Sequence, residues 1–280
     1  MSRHPSPASF YHPITAQPFR HNAAYVEIPP CDALKPYIRC FWGTPEPVRT
    51  ADYPSEGAGL VIPDTCMDIL FTVDETRGTL DGVFCTMSED AVYTGSHVDT
   101  ALTSTFAIRF YAWTATLFAE RPFSGSKNGY QRVDDFFPAL DRQLTPRLMS
   151  VSTLRERAEI ATGYLLKQLN EFRCPPVLMN AADSIVRTRG TAKISDLTAS
   201  QAISPKRLER VFDEHIGLSP KSFSSLVRYQ LLWQELCLGR PGDPLDLVEK
   251  YGYYDQAHLL NDFRRRHSMT PAQALQLARG

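Results

Sequence analysis

Apolar and turn-forming residues recur at the same spacing twice in the last hundred residues of the chain. The first copy contains Ile194, Leu197, Leu208, Phe212, Ser219 and Pro220. The second copy has similar residue types 51 positions later, at Leu245, Val248, Leu259, Phe263, Thr270 and Pro271. Each copy predicts a short helix, a turn and a longer helix, which together form a helix-turn-helix motif.

Residues that cap or break helices set the bounds of these elements. The four predicted helices cover 194–201, 205–215, 245–251 and 256–267. Ser204 and Asp255 stand directly before the two longer helices, where their side-chain oxygens accept hydrogen bonds from amides of the first turn. Both copies therefore predict a capped second helix.

Each longer helix has an apolar face and a polar face. The polar face comprises Lys206, Glu209, Arg210 and Asp213 in the first copy and His258, Asn261 and Arg265 in the second. A helix whose apolar side packs on the protein and whose polar side faces outward has the dimensions to enter a DNA major groove. The same pattern is also typical of a solvated surface, on which Lys206 and Glu209 would form an ion pair.

A further helix, predicted over 220–238, joins the two copies. It starts with a proline, which suits the first turn, and stops at the Gly-Arg-Pro-Gly sequence of residues 239–242. A helix of this length spans about 28 Å. Successive major-groove segments on one side of B-DNA lie about 34 Å apart, so the linker is expected to hold the two motifs about one turn of DNA apart.

Short strand-like segments dominate the first half of the chain. The predicted strands, rich in β-branched and aromatic residues, are 60–62, 68–73, 82–87, 91–94 and 104–111. In the last of these, Phe106, Ile108 and Phe110 alternate with more polar residues, which indicates one buried face. The set predicts a small β-barrel or sandwich, followed by a helical section.

Length and charge add constraints. The 280 residues allow two domains, and the net charge is −1. Residues 181–280 carry 14 Lys and Arg against 11 Asp and Glu, so this part is mildly basic and the rest is acidic. The chain contains no apolar run of the roughly 18 residues typical of a membrane span, and its proline-containing start does not resemble a signal peptide. We therefore expect a soluble, cytoplasmic protein.

The repeated motif and its linker resemble the DNA-binding domain of the AraC/XylS family of bacterial transcription regulators. The resemblance covers about residues 180–278 and includes Gly217 and Gly252 besides the repeated positions. It implies a regulator that binds double-stranded DNA, and it is compatible with contacts to RNA polymerase and with a homodimer. The chain departs from the family at Ala202 and Ser268, where glycine is usual, and at Asn261, where many members have arginine.

The resemblance also implies which residues read bases. They are Lys206, Glu209 and Arg210 in the first copy and Gln256, Ala257, His258 and Asn261 in the second. The chemistry is compatible, because arginine binds guanine through two hydrogen bonds, asparagine or glutamine binds adenine, and glutamate accepts from cytosine. The departure at Asn261 is expected to change which base is read.

Basic residues around the reading helices are expected to contact DNA phosphates, which supply affinity and salt dependence. These residues are Arg187, Arg189, Lys193, Lys221, Arg228, Arg264, Arg265 and Arg266. Scattered solvated charge is the alternative interpretation.

The first half of the chain is similar to a cupin-like sensor domain that precedes this DNA-binding module in some members of the family. The similar segments, within about residues 28–145, are LKPYIRCFW, VIPDTCMDILF, GVFCTM and FAIRFYAW. They imply a regulator that responds to a small-molecule effector of unknown identity. The candidate effector-binding or thiol-sensing residues are Asp64, Cys66, Asp68, Cys85 and Arg109.

The sequence contains no recognisable catalytic motif. The histidines of residues 1–180, His4, His12, His21 and His97, do not form the His-x-His pair of metal-dependent cupins. A serine nucleophile elbow and a phosphate-binding loop are also missing. We therefore expect neither an enzyme nor a cofactor or metal. The six cysteines lack Cys-x-x-Cys spacing, which favours buried thiols, although Cys66 and Cys85 are also candidates for a thiol or metal sensor.

The predicted fold is an α+β protein of two domains. Residues 1–23 are expected to form a flexible arm, 24–174 a cupin-like β-barrel sensor domain with helices, and 175–280 an all-α double helix-turn-helix domain. Between them, a helix predicted over 153–172 has Leu154, Ala158, Ala161, Leu165 and Phe172 on one side. This stripe predicts either a dimer seam or a face that packs on the barrel.

The favoured function is a sequence-specific, effector-modulated transcription regulator. The alternative is a ligand-binding module whose degenerate helix-turn-helix pair serves protein contact or nonspecific DNA binding, which the modest basic charge leaves open.

Overall fold

A computed structural model describes residues 6–19, 25–49, 59–94, 101–239 and 244–279. Its N-terminal half is built from short strands. They are β1 (Val26–Ile28), β2 (Ile38–Gly43), β3 (Val48–Arg49), β4 (Gly59–Val61), β5 (Cys66–Asp74), β6 (Thr79–Cys85), β7 (Val92–Thr94), β8 (Leu102–Tyr111) and β9 (Tyr130–Arg132). The predicted strands correspond to β4, β5, β6, β7 and β8, whereas β1, β2, β3 and β9 were not predicted.

The strands form an open antiparallel sheet rather than the predicted closed barrel. Six strands of the seven-stranded sheet follow the order β1-β2-β8-β5-β6-β9, and the seventh, β3, also pairs with β8. Strands β4 and β7 pair in a separate two-stranded sheet. Within the described residues, the edge strands β1 and β9 do not pair with each other. Closure is not needed to bury the apolar face, because helices cover it.

The alternation in β8 places its aromatic and aliphatic side chains in the core. Phe106, Ile108 and Phe110 are fully buried, and Phe71 of β5 stacks on Phe106 with ring centroids 6.3 Å apart. Burying side chains of this size is the main stabilising contribution to such a sheet. The predicted apolar face is confirmed, but the strand is not half-exposed as predicted, because Ala107 and Tyr111 on its other face are buried too.

Ten helices follow in the described part of the chain. They are α1 (Val133–Phe136), α2 (Pro138–Leu148), α3 (Leu154–Gln168), α4 (Pro176–Arg187), α5 (Ile194–Ala199), α6 (Pro205–Ile216), α7 (Pro220–Leu238), α8 (Pro244–Lys250), α9 (Gln256–His267) and α10 (Pro271–Arg279). The bounds of α7 and α9 equal those predicted. Within the described residues, no helix is both long enough and apolar enough to cross a membrane.

Helix α3 packs inside the chain and does not offer the predicted dimer seam. Leu154, Ala158, Ala161 and Leu165 are all buried in the hydrophobic core, against α2, β2 and β8. Thr153 caps the helix in a capping box with Glu156. The alternative interpretation of the stripe, an inner face, is therefore the correct one for these four residues.

The described part of the predicted flexible arm, residues 6–19, is packed against the rest of the protein. Ala8, Tyr11 and Ala16 are buried, and the segment makes hydrogen bonds to both halves of the chain. A Pro-containing segment without periodicity has no intrinsic reason to order, so its order comes from these tertiary contacts.

Two hydrophobic clusters organise the molecule. The first extends without interruption from the sheet and α1–α3 through α4, α5 and α6 to the first half of α7. The second contains the later part of α7 together with α8, α9 and α10, and it also includes Ala16 and Ile62. The linker helix therefore belongs to both clusters.

Candidate nucleic-acid interface

Helix α6 is anchored by its apolar side and presents polar groups outward. The Ser204 hydroxyl accepts a hydrogen bond from the Arg207 amide at 3.2 Å, which confirms the predicted cap. Leu208 and Phe212 are fully buried, whereas the outward side chains are exposed. The exposed base-reading candidates are Lys206, Glu209 and Arg210.

The outward face of α6 borders an open depression on the surface. Its lining consists of Ser204, Lys206, Arg207, Glu209, Arg210, Asp213 and Ser219. The Arg210 guanidinium lies 3.8 Å from the Glu214 carboxylate one turn later, and its side chain is 68% exposed. Such an exposed ion pair within a helix contributes little to stability, so Arg210 is able to turn toward a ligand.

Helix α9 repeats this arrangement. The Asp255 carboxylate accepts a hydrogen bond from the His258 amide at 2.7 Å, as the predicted cap requires. Leu259 and Phe263 are buried beneath the helix. The exposed residues at its start are Gln256, Ala257, His258 and Asn261.

Both turns in which the chain lacks the usual glycine keep a left-handed backbone. Ala202 has φ 51° and Ser268 has φ 59°. A side chain in this conformation costs roughly 1 kcal/mol or more relative to glycine. The fold therefore tolerates these two substitutions with the turn geometry intact.

The predicted phosphate contacts fall into two groups. Six of the eight are exposed, Arg187 among them, and four of these are Arg189 after α4, Lys193 before α5, Lys221 at the start of α7 and Arg264 on α9. Arg265 is 50% exposed and lies 3.3 Å from Asp262. The other three, Arg187 included, are engaged in contacts within the chain.

Arg266 does not have the accessibility that a phosphate contact requires, so its assignment is corrected. Its side chain is 1% exposed. Its guanidinium donates to the Asp262 carboxylate at 3.1 Å, to the Ser225 hydroxyl at 2.9 Å and to the Glu89 carbonyl at 3.2 Å. Arg266 is thus a structural residue that ties α9 to α7 and to the segment after β6.

Arg187 and Arg228 also have partners inside the chain. The Arg228 guanidinium lies 4.6 Å from the centre of the Tyr253 ring. Arg187 pairs with Asp183 at 2.8 Å and lies 4.8 Å from the centre of the Phe10 ring. A phosphate would have to compete with these contacts.

The structure brings the five effector candidates together on the sheet face opposite the aromatic core. In the strand pairing, Asp68 of β5 lies opposite Arg109 of β8 and Cys85 of β6, and Cys66 of β5 lies opposite Tyr111 of β8. Arg109 bridges two carboxylates, donating to Asp68 at 3.0 Å and to Asp64, and each of the three side chains is less than 15% exposed. Asp64 also accepts from the Cys66 amide at 2.6 Å.

The two candidate cysteines, Cys66 and Cys85, have the properties of protonated thiols. Burial raises the pKa of the Cys85 thiol to about 12 and raises the pKa of Cys66 well above its ordinary value. Because the thiolate is the reactive and metal-binding form, these shifts oppose a thiol sensor. Among the described residues, no cluster of His, Cys, Asp and Glu side chains is arranged to hold a metal ion, so the metal-sensor hypothesis has no structural support.

Sequence reasoning missed two aromatic residues at these sites. The Trp42 indole donates to the Asp68 carboxylate at 2.8 Å, which places it at the effector candidates. Tyr254, directly before the cap of α9, is 91% exposed. The exposed aromatic beside α9 was visible in the Gly-Tyr-Tyr-Asp sequence, whereas Trp42 was hidden because β2 was not predicted.

Two families match separate parts of the chain. Residues 197–276 match the family described as a helix-turn-helix domain. Residues 26–131 match a domain of unknown function, DUF6597. No curated protein matches the chain.

Among solved structures, the chain is similar to ToxT from Vibrio cholerae O395, with 8% identity, a TM-score of 0.41 and coverage of 80% of this chain and 95% of ToxT. It is also similar to the C-terminal domain of AraT, a response regulator from Geobacillus stearothermophilus. That match has 19% identity, a TM-score of 0.35 and coverage of 37% of this chain and 87% of the other. By the family matches, residues 197–276 carry an AraC-type helix-turn-helix domain, the module of DNA-binding transcription regulators, and residues 26–131 carry a second matched domain ahead of it.

Proposed function

We propose that this protein recognises a specific DNA sequence through α6 and α9 and regulates transcription in response to a small molecule bound at its N-terminal sheet. The observation that carries the proposal is the paired geometry of the two reading helices. Each is capped, each buries an aromatic residue, and each exposes its outward polar residues. Helices with this division of faces are suited to the major groove.

Base reading would depend on the exposed side chains of both helices. In α6 they are Lys206, Glu209 and Arg210, and in α9 they are Gln256, Ala257, His258 and Asn261. The exposed basic residues around them would hold the phosphates: Arg189, Lys193, Lys221, Arg264 and Arg265. Base contacts would then set specificity, and phosphate contacts would set affinity and salt dependence.

The effector site would be the polar sheet face around Asp64, Cys66, Asp68, Cys85 and Arg109. Residues 6–19 connect this face to the DNA-binding half. On the sheet side, the Thr65 hydroxyl donates to the Tyr11 hydroxyl at 3.0 Å, and His12 Nδ1 lies 3.0 Å from the Tyr111 hydroxyl.

On the other side, the same segment contacts the linker helix. The Trp233 indole donates to the Thr15 carbonyl at 3.0 Å, and the Gln234 amide donates to the His12 carbonyl at 2.8 Å. A ligand that shifts Tyr111 would therefore act on α7 through contacts that already exist, which is the physical basis for coupling the two sites.

A selection of bound fragments from genomic DNA tests the DNA-binding part of the proposal. We expect one directional motif with two boxes about one helical turn apart. The Arg210→Ala variant should lower the ratio of affinities for this motif and for random DNA about tenfold, because one good bidentate base contact contributes roughly 1–3 kcal/mol. The matched control is Arg155→Ala, which removes the same charge from an exposed position on α3.

Two outcomes would contradict the proposal in different ways. An equal loss on both DNAs would make Arg210 a phosphate contact and remove it from the reading surface. No enriched motif for the wild-type chain would favour nonspecific binding or a protein-contact role for the helix-turn-helix pair.

A further inference from the structure

The His258 ring is held in one orientation at the start of α9. It occupies the third helical position after the cap Asp255. Its Nδ1 accepts a hydrogen bond from the Tyr254 amide at 3.3 Å, and its ring stands edge-on to the Tyr253 ring with centroids 5.3 Å apart. Tyr253 is itself buried and lies under the guanidinium of Arg228, so the aromatic surface behind His258 is fixed.

This orientation determines where the imidazole carries its proton. A neutral imidazole has one donor and one acceptor nitrogen, and a hydrogen bond to one nitrogen sets the role of the other. A backbone amide is able only to donate, so Nδ1 of His258 must be the acceptor. Nε2, at the far end of an exposed side chain, therefore carries the hydrogen and acts as a donor.

A fixed donor does not treat the four bases alike. In the major groove guanine offers two adjacent acceptors, N7 and O6, adenine offers N7, and thymine offers O4. Cytosine offers only its N4 amino group, which is a donor. A donor placed opposite that amino group would lose its hydrogen bond and leave two polar groups unpaired.

We propose that His258 reads a major-groove hydrogen-bond acceptor through Nε2–H, with guanine preferred, and thereby excludes cytosine at one position of the binding site. Tyr254 contributes as a positioning residue, because its amide fixes the tautomer. This inference rests on the proposed function, since it assumes that α9 enters the major groove. It adds which hydrogen-bonding group on the base His258 accepts as a partner.

The first test measures the tautomer directly. Long-range proton–nitrogen correlation spectra of the full chain, labelled with ¹⁵N-histidine and recorded without DNA at pH 8, report which ring nitrogen carries the hydrogen. The His258→Lys variant assigns the signal by its loss. We expect Nδ1 to be unprotonated and Nε2 to be protonated. The opposite assignment would overturn the proposal without affecting the proposed function.

The second test reverses the hydrogen-bond chemistry at this position. His258→Glu replaces a donor with an acceptor, and glutamate at the third position of a capped helix is favourable for the fold. His258→Lys keeps a donor-only group. Fragment selection is repeated with each variant, and base frequencies are compared within each motif, so that changes in overall affinity do not enter.

One column of the motif should respond. For the wild type and His258→Lys we expect cytosine to be depleted about tenfold relative to guanine there, whereas His258→Glu should enrich cytosine with the other columns unchanged. A clear wild-type motif in which no column responds to either variant would overturn this inference alone. A wild-type chain that enriches no motif would overturn the proposed function and this inference with it.

Discussion

The two helix-turn-helix motifs share one sequence pattern but are attached to the N-terminal half in different ways. The first motif shares a continuous hydrophobic cluster with the sheet. Within it, Trp113 contacts Phe223 edge-on, Phe223 contacts Phe212, and the ring centroids are 6.1 and 5.8 Å apart. The Phe123 amide also donates to the Glu214 carbonyl at 2.8 Å.

The second motif has a core of its own, centred on Trp233 and Phe263. Its contacts with the N-terminal half are largely single polar ones, such as the Arg266–Glu89 bond and the bond from the Gln230 amide to the Pro63 carbonyl at 2.9 Å. Among the described residues, apolar contact is limited to a few side chains, including Ala16 and Ile62.

This difference assigns distinct mechanical roles to two motifs that look equivalent in sequence. A shared core is close-packed and resists small displacements, so α6 should move as one body with the sheet. The few contacts of the second motif with the N-terminal half bury much less apolar surface than a shared core does, so α9 is better suited to change its position when the N-terminal half changes.

Removing one aromatic anchor from each core should have the largest effect on stability, and the response of the rest of the chain should distinguish the two motifs. Phe212→Ala and Phe263→Ala each remove a fully buried ring and should lower the free energy of unfolding by about 3–5 kcal/mol. Hydrogen exchange should rise in both α6 and β8 for Phe212→Ala, but mainly in α8–α10 for Phe263→Ala. The same spread of exchange in both variants would refute the division into two bodies.

Replacing Arg266 should have the next largest effect. Arg266→Ala removes a buried charge and leaves Asp262, which is only 9% exposed, without its main partner. We expect the free energy of unfolding, measured in urea, to fall by about 3 kcal/mol. Arg265→Ala is the control, since an exposed ion pair contributes roughly 1 kcal/mol or less, and it should instead reduce the salt dependence of DNA binding. Equal destabilisation by both variants would contradict the structural role of Arg266.

Acid should loosen the second motif before the first. Burial lowers the pKa of His267 to about 4, and its Nδ1 lies 2.7 Å from the Tyr229 hydroxyl. The pKa of His267 is higher in the unfolded chain than in the folded protein. His267 therefore does not lower the free energy of unfolding above about pH 6.5, and this free energy falls as the pH drops from there toward the pKa of the folded state.

The expected loss between pH 7 and pH 5 is about 2 kcal/mol. The matched variant His267→Gln stays neutral throughout and should show a correspondingly smaller fall in the free energy of unfolding. Identical pH profiles for the two proteins would show that His267 does not control this transition.

The smallest expected effect concerns the contact of residues 6–19 with α7. Trp233→Phe removes the hydrogen bond to the Thr15 carbonyl. It should lower the free energy of unfolding by about 1 kcal/mol and increase hydrogen exchange in residues 6–19. Trp113→Phe is the control, because the Trp113 indole nitrogen is buried and has no hydrogen-bond partner among the described residues. An equal exchange response in both variants would mean that the bond does not hold this segment.

Periodic features of the chain were predictable, and features that depend on distant partners were not. The bounds of α7 and α9 follow from apolar spacing and from proline and glycine signals. Strand β2 was missed because it is largely buried on both faces and contains an irregular register near Cys40, which removes the alternation on which prediction depends. The order of residues 6–19 depends on partners more than two hundred residues away.

Arg266 is a different case, because its burial was readable from the sequence. Leu259, Phe263 and Arg266 follow one another at spacings of four and three, which places them on one side of a helix. Grouping the residue with its basic neighbours overlooked this position. A run of like charges on a helix therefore does not share one environment.

Hydroxyl-radical footprinting of the full chain on its selected DNA tests the central claim most directly. If α7 holds α6 and α9 as paired reading helices, the footprint will contain two protected segments on one face of the duplex, about ten base pairs apart. A single protected segment, or protection spread evenly along the DNA, would contradict the account.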